Sequence, residues 1–251
     1  MKKPLFQALR DEIKKKYGLT KNSIDFIPFE RWREKLGGYE KKFIREYGPN
    51  VGFLKERLGI EKFGKINNQN KKLILFSGIP GAGKTTLSKI IQKSIPNTII
   101  IRGHDIVDLL GLFGKNVNEY RERLTKAGFS NPDPWYISYV YQEKLTRDLL
   151  KLGYNVVFDD HIRTIENRMG YLRLANECKA DIIFVQINAP FDTYVKREEG
   201  KINDEKLKFL SNMVFQSEDF TKDEQKKYSK IIKVDGTKKI NEIKRKLISK
   251  L

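Results

Sequence analysis

The stretch "KLILFSGIPGAGKTT", residues 72–86, joins a continuous apolar run to a loop of glycine, proline and alanine that ends in lysine and threonine. The apolar run has the length and composition of a buried strand. The segment that follows, "KTTLSKIIQKSI" (84–95), has aliphatic residues at helical spacing. Glycines let the backbone between two such elements curl, so that successive N–H groups point inward with no Cβ in the way. The sequence therefore predicts a strand, an anion-binding loop and a helix, in that order.

This loop fits the pattern G-x-x-x-x-G-K-[ST], and its place between a strand and a helix is typical of a P-loop. Lys84 is expected to reach the β- and γ-phosphates of ATP or GTP, and the Thr85 hydroxyl is expected to ligate Mg²⁺. The free amides at the start of the helix favour the same anion. The candidate nucleotide-binding residues of the loop are Gly78, Gly81, Ala82, Gly83, Lys84, Thr85 and Thr86.

Four more apolar runs of strand length follow, with helical patterns at 136–153 and 165–179 among them. The runs are "NTIIIRG" (97–103), "YNVVFDD" (154–160), "ADIIFVQIN" (180–188) and "SKIIKVDG" (229–236). Continuous Val/Ile/Leu strands joined by helices indicate a parallel sheet that is covered on both faces. The predicted fold class is α/β: a P-loop NTPase with a parallel five-stranded sheet, a helical N-terminal region, and its site at the carboxyl ends of the strands.

The first 66 residues contain short helical patterns, each ending near a glycine that suits a C-cap. They are "LFQALRDEIKKKYG" (5–18), "FERWREKLGG" (29–38), "YEKKFIREYG" (39–48) and "VGFLKERLG" (51–59). The polar segment "KINNQNKK" (65–72) has the composition of a linker. We therefore expect a basic helical region and linker over residues 1–70 and a P-loop domain over residues 71–251.

The chain of 251 residues carries a net charge of +18, which is concentrated in its flanks. Residues 1–70 contribute +8 and residues 201–251 contribute +6, whereas the 130 residues between them contribute only +4. A positive field of this kind favours polyanionic partners, among which we expect RNA. A lysine-rich composition that has no binding function would give the same net charge. Aromatic residues among the N-terminal charges could stack on bases or pack on the core, and the two are compatible because a packed helix can turn its basic face outward. No apolar run reaches the roughly 18 residues needed to cross a membrane, so we expect a cytoplasmic protein with no membrane partner.

Acidic residues follow the second and third predicted strands. Asp105, in "IRGHDIVDLL", lies where a carboxylate orients an acceptor hydroxyl and takes its proton, although a helix cap is the alternative. His104 and Asp108 are candidates for substrate contact. Asp159, in "VVFDD", suits a carboxylate that holds the metal beside the P-loop strand.

Basic residues follow the third and fourth strands. His161, Arg163 and Arg168, in "HIRTIENR", are candidates for contact with the acceptor or phosphate, although each arginine fits a solvated helix face equally well. Arg197, in "NAPFDTYVKREEGK", is expected to stabilise charge on the transferred group from a mobile lid. An ion pair with Glu198 or Glu199 is its alternative.

The motifs together resemble the P-loop kinases that include polynucleotide 5′-hydroxyl kinases and zeta-toxin-like kinases. "GIPGAGKTTLSK", "RGHD", "VVFDD" and "INAPFDTYVKREEGK" occur in the order of that family, over residues 71–251. The resemblance implies that Asp105 is the general base and that Arg197 meets the phosphates. Lys84 of the P-loop is the third candidate catalytic residue. It also implies that "DGT" lies near the adenine, which adds Asp235, Gly236 and Thr237 to the nucleotide-binding residues.

These observations predict a kinase that uses ATP or GTP with Mg²⁺ to phosphorylate a hydroxyl of RNA, DNA or a nucleotide-like molecule. Two alternatives stay open. One is a small-molecule kinase of zeta-toxin type acting on a nucleotide sugar, and the other is a nucleotide-gated RNA-binding protein with little transfer activity. The sequence leaves the acceptor, the preferred base and the oligomeric state open.

Overall fold

The computed structural model describes residues 3–23, 64–109, 122, 125–126, 134–197 and 203–251. These residues belong to two compact units. The first takes in the described residues within 1–29, 69–100 and 155–251, and the second those within 30–68 and 101–154. The helical patterns at 29–38, 39–48 and 51–59 lie outside the described residues, and the division of the chain at residue 70 stays a prediction.

A five-stranded sheet forms the centre of the first unit. Its strands are β1 (Lys72–Ser77), β2 (Thr98–Ile101), β3 (Asn155–His161), β4 (Asp181–Asn188) and β5 (Lys230–Asp235). Their order is β2-β3-β1-β4-β5, and β1 runs parallel to both β3 and β4, as β4 does to β5. The parallel α/β fold is thereby confirmed, and each strand lies within two residues of its predicted bounds. The P-loop strand β1 is central, so the loop after it lies between two neighbouring strand ends.

Nine helices are described along the chain. They are α1 (Leu5–Tyr17), α2 (Lys84–Ser94), α3 (Gly103–Leu109), α4 (Pro134–Leu152), α5 (Ile165–Glu177), α6 (Phe191–Arg197), α7 (Asp204–Phe215), α8 (Lys222–Gln225) and α9 (Ile240–Ile248). None of these described helices is both long enough and apolar enough to cross a membrane. Helices α7 and α8 were not predicted from the sequence.

Helix α1 is part of the core of the first unit. Its side chains at i, i+3 and i+7, namely Phe6, Leu9 and Ile13, are at most 2% exposed and join the apolar cluster that also contains α2. The helix ends at Gly18, whose φ of 66° is the left-handed C-cap conformation predicted from the sequence. The first N-terminal helix therefore packs on the P-loop core, and three exposed lysines, Lys14–Lys16, form its last turn.

Polar contacts hold α1 at its first turn and near its middle. Asp219 accepts hydrogen bonds from the N–H groups of Phe6 and Gln7, at 2.8 and 3.0 Å, and so caps the first turn. Glu12 accepts a 2.9 Å hydrogen bond from the Phe191 N–H at the start of α6. Asp219 thus caps the start of α1, and Glu12 of α1 caps the start of α6.

The second unit contains the packed helices α3 and α4. The chain before β1 adds to this unit, because the Ile66 N–H donates to the Leu152 carbonyl at 2.7 Å and the Tyr154 hydroxyl donates to the Gly64 carbonyl at 3.2 Å. Part of the predicted linker is therefore hydrogen-bonded to the end of α4.

The remote cap on α1 gives a testable consequence. Asp219→Ala removes the acceptor of two helix N–H groups, and we expect the free energy of unfolding in urea to fall by about 1–2 kcal/mol. Asp223→Ala is the matched control, because that carboxylate is 87% exposed and pairs with the exposed Lys226 one turn later. Equal stability of the two variants would contradict the capping role.

Candidate active site

The P-loop connects β1 to α2 with two glycines in the left-handed region. Gly81 has φ of 78° and Gly83 has φ of 92°, conformations that L side chains rarely adopt. A Cβ on Gly81 would lie 2.6 Å from the backbone oxygen of Tyr194, which leaves no room for a side chain. These two glycines are therefore required by the backbone path, and Gly81 is required in addition by its close approach to α6.

Lys84 bends back over the loop that precedes it. Its Nζ donates to the carbonyl oxygens of Gly78 and Ile79, at 3.0 and 3.1 Å. Thr85 and Thr86 follow in the first turn of α2 and are exposed. An ammonium group, two hydroxyls and the free amides of a helix N-terminus thus lie on one short segment, which is the donor set that a triphosphate requires.

The carboxyl end of β3 lies beside the end of β1. After the Leu75–Phe158 pair the register shifts, because β3 carries two extra residues there, Asp159 and Asp160. Asp159 is 8% exposed. A carboxylate at this strand end and the Thr85 hydroxyl are both oxygen ligands of the kind that Mg²⁺ prefers, so the residues present fit the predicted metal.

His161 is a structural neighbour of the P-loop, which corrects its prediction as a substrate-binding residue. Its ring is 6% exposed, and its Nδ1 accepts a 3.2 Å hydrogen bond from the Gly78 N–H. Nε2 lies 2.7 Å from the Ser217 hydroxyl. Burial, and then the charges of Lys84 and two arginines, hold the pKa of His161 well below its ordinary value of 6.5. A buried ring with both nitrogens bound to protein has no nitrogen left for an acceptor.

Arg168 is fully buried, which corrects its prediction as a substrate-binding residue and also excludes a solvated helix face. Its guanidinium binds the carboxylate of Glu224, with Nη2 at 3.0 Å from Oε2. The remaining donors bind the carbonyl oxygens of Arg163, Glu218 and Asp219, at 3.0 to 3.3 Å. Arg168 therefore fixes the segment between α7 and α8, and its charge is used internally.

Arg163 is half-buried, and its Nη1 donates to Gln216 Oε1 at 2.6 Å. This contact, like that of His161 with Ser217, joins the chain after β3 to the end of α7. The role of Arg163 as a substrate-binding residue stays a prediction.

The structure brings Arg197 together with the predicted adenine loop. Arg197 Nη2 donates to the Gly236 carbonyl at 2.6 Å, and both residues lie at the β4–β5 side of the sheet. Within the loop, Asp235 accepts from the N–H and the hydroxyl of Thr237, which lowers the pKa of the Asp235 carboxyl. The loop is thus ordered by its own hydrogen bonds, with the arginine of α6 bound to it.

A cavity of about 780 Å³ borders this loop in the first unit. Its lining includes Asp235, Thr237 and Asn188 from the sheet edge, and Lys3 and Glu12 from the α1 segment. The volume is in the range of small-molecule sites. No sequence signal pointed to a contribution from residues before the P-loop.

In the second unit, Asp105 lies in the first turn of α3 and accepts a 2.7 Å hydrogen bond from Arg102 Nε. Its side chain is 37% exposed, while His104 and Asp108 are exposed on the same helix. The partner Arg102 was not identified as functional from the sequence. The roles of Asp105, His104 and Asp108 stay predictions.

The AAA_33 family, described as an AAA domain, matches residues 73–216, which is more than half of the chain. The chain belongs to this family of P-loop kinases. The resemblance to P-loop kinases drawn from the motifs is thereby confirmed, and the matched region runs from β1 to the end of α7.

Named relatives and solved structures are distant. A cytidylate kinase of Sulfurisphaera tokodaii is 24% identical over 140 residues, which cover 51% of this chain and 72% of the relative. Among solved structures, a proposed kinase from Chloroflexus aurantiacus has a TM-score of 0.50 at 15% identity and covers 72% of this chain and 99% of its own. At this identity it supports the fold alone.

Two further structures come from toxin–antitoxin and RNA-repair systems. The structure of the PezAT system of Streptococcus pneumoniae has a TM-score of 0.41 at 24% identity, covering 55% of this chain and 56% of that one. The Pnkp1/Rnl/Hen1 complex has a TM-score of 0.39 at 23% identity, covering 55% and 43%. Our chain thus spans about half of each of these two structures.

Removal of the P-loop ammonium tests the nucleotide site. Lys84→Ala should nearly abolish turnover of ATP, because the point charge that meets the β- and γ-phosphates is lost. The urea unfolding midpoint should change little, since hydrogen bonds from the Lys84 ammonium to two loop carbonyls add little to the stability of the sheet. Lys89→Ala, at an exposed position of the same helix, should keep wild-type turnover. Normal turnover of Lys84→Ala would overturn the P-loop assignment.

Proposed function

We propose that this P-loop kinase transfers the γ-phosphoryl group of ATP or GTP to a hydroxyl of a nucleic acid, with an RNA end as the preferred acceptor. In this reaction the acceptor oxygen bonds to the γ-phosphorus, the bond to the β–γ bridging oxygen breaks, and the nucleoside diphosphate leaves. The acceptor proton passes to a carboxylate.

Named residues have separate roles in the proposal. Lys84 binds the β- and γ-phosphates, and Thr85 with Asp159 holds Mg²⁺, which when bound neutralises charge on the phosphates. Arg197 stabilises charge on the transferring group, and Asp105 orients the acceptor hydroxyl and takes its proton. The Arg102 side chain donates a hydrogen bond to Asp105 and so orients its carboxylate.

The observation that carries the nucleic-acid acceptor is the exposed positive charge in the flanks of the chain. Lys14 and Lys15 are exposed in the last turn of α1, and Lys244, Arg245 and Lys246 form an exposed run on α9. A small acceptor needs only the groups that touch it, whereas a polyanion is attracted by charge distributed over a surface. A cytoplasmic location, where RNA and nucleoside triphosphate occur together, is part of the proposal.

A second candidate acceptor is a small nucleotide or nucleotide sugar. The match to a cytidylate kinase over 51% of this chain supports it, because that relative is named for a nucleotide acceptor. A third candidate is an RNA-binding protein that uses the nucleotide only as a switch, and such a protein needs no base at Asp105.

The decisive experiment incubates the full chain with γ-labelled ATP and a panel of acceptors. The panel contains 5′-hydroxyl RNA and DNA oligonucleotides, tRNA, cytidine monophosphate and a nucleotide sugar. We expect label on RNA, with a KM for RNA that rises with salt by a log–log slope of about 0.7 for each phosphate neutralised. Label on a small acceptor alone, or a KM for RNA that is independent of salt, would refute the nucleic-acid acceptor.

Asp105→Asn separates catalysis from binding. The amide keeps the size of the side chain but does not accept a proton, so the rate at saturating substrate should fall by about 10²–10⁴-fold. The affinity for ATP should be unchanged. Asp223→Asn, at an exposed carboxylate of α8, is the control. A loss of ATP affinity with an unchanged maximal rate would remove Asp105 from the role of base and leave Asp108 as the candidate.

A further inference from the structure

The peptide units around Gly78 connect β3 to the P-loop lysine. The Gly78 N–H donates to His161 Nδ1 at 3.2 Å, and the Gly78 carbonyl accepts from Lys84 Nζ at 3.0 Å. The first glycine of the loop is therefore bound on its N–H side and on its carbonyl side. Displacement of this glycine would also displace the anchor of the lysine ammonium.

The proton positions on His161 follow from its partners. The Ser217 hydroxyl donates to the Met213 carbonyl at 2.6 Å, so its oxygen is left to accept from His161 Nε2–H at 2.7 Å. Nδ1 is then the unprotonated nitrogen, which is the form that accepts from Gly78.

Surrounding elements hold the ring in place. Helix α1 places the Phe6 ring 5.7 Å from the imidazole centroid, and Arg10 donates to the Ser217 carbonyl at 2.9 Å. The register shift in β3 pairs His161 with Phe76, two residues before Gly78. The imidazole is thereby fixed between the end of the P-loop strand and the end of α7.

We propose that His161 is a positioning residue of the nucleotide site, which holds the Gly78 peptide so that the loop and Lys84 are preorganised for the phosphates. The inference rests on the proposed use of this loop to bind nucleotide. Preorganisation lowers the ordering required when a ligand binds, so its loss weakens nucleotide affinity. His161 touches no substrate and acts only through Gly78.

Two substitutions separate this role from simple packing. The amide oxygen of Asn lies near the place of Nδ1, and the amide of Gln lies near the place of Nε2. His161→Asn therefore keeps the acceptor for Gly78 and loses Ser217, whereas His161→Gln keeps Ser217 and loses Gly78. We expect the Kd for ADP, measured by calorimetry, to stay within about twofold of wild type in His161→Asn. In His161→Gln it should rise about five- to tenfold, as for one lost hydrogen bond.

Two further variants complete the test. Ser217→Ala removes the acceptor that fixes the tautomer, and it should raise the Kd for ADP even where His161→Gln does not fold. Asn155→Ala is the control: Asn155 is 4% exposed and bridges the Lys72 N–H and the Pro96 carbonyl at the amino ends of the strands. It should lower stability with the Kd for ADP unchanged.

Equal Kd values in His161→Asn and His161→Gln, or an unchanged Kd in Ser217→Ala, would overturn the proposal. ADP titration requires no phosphoryl acceptor. A failure of the nucleic-acid proposal in the acceptor panel would therefore leave this comparison intact.

Discussion

The close approach of Gly81 to the backbone of Tyr194 is the constraint on which the site depends. Because a Cβ at Gly81 would meet the Tyr194 oxygen at 2.6 Å, the loop and α6 fit together only through bare backbone. The Tyr194 hydroxyl donates to the Ile187 carbonyl and accepts from the Ala189 N–H, each at 3.0 Å, so α6 is also fixed to the end of β4. The phosphate loop and the helix that carries Arg197 thus share one rigid junction.

Helix α1 extends that junction to the N-terminal region. Glu12 caps α6, Arg10 binds Ser217, and Phe6 packs on His161. Helix α1 therefore contacts the two neighbours of the P-loop, namely α6 and the imidazole of His161. A chain that begins at Lys71 would lack the three buried side chains of α1 and would expose the core beneath them. Charge and packing are therefore combined in this helix, which buries one face and presents lysines on its last turn.

The sequence predicts the elements that depend on neighbouring residues, but it does not predict contacts between residues far apart in the chain. Strand β1 and helix α2 follow from a continuous apolar run and a glycine pattern, and β1 was predicted with its observed bounds. The sequence predicts substrate contact for His161 and Arg168, because a basic residue after a strand suggests a ligand. Their partners Ser217 and Glu224 are each 56 residues away. Ser217 lies just after α7 and Glu224 lies in α8, two helices that the sequence did not predict. No local periodicity reports such a pairing, and only the fold shows that the His161 ring and the Arg168 guanidinium are bound inside the protein.

The neutral state of His161 has opposite consequences for the site and for folding. A protonated imidazole would donate from both nitrogens, so it would lose its contact with the Gly78 N–H and add a cation beside Lys84. Burial and the neighbouring cations prevent this by keeping the folded pKa well below 6.5. The unfolded chain has no such protection and binds a proton as the pH falls below about 6.5, so this histidine lowers the stability of the fold at acid pH. The neutral form of His161, which accepts the hydrogen bond from the Gly78 N–H, is therefore maintained at neutral pH. The cost is a lower stability of the fold at acid pH.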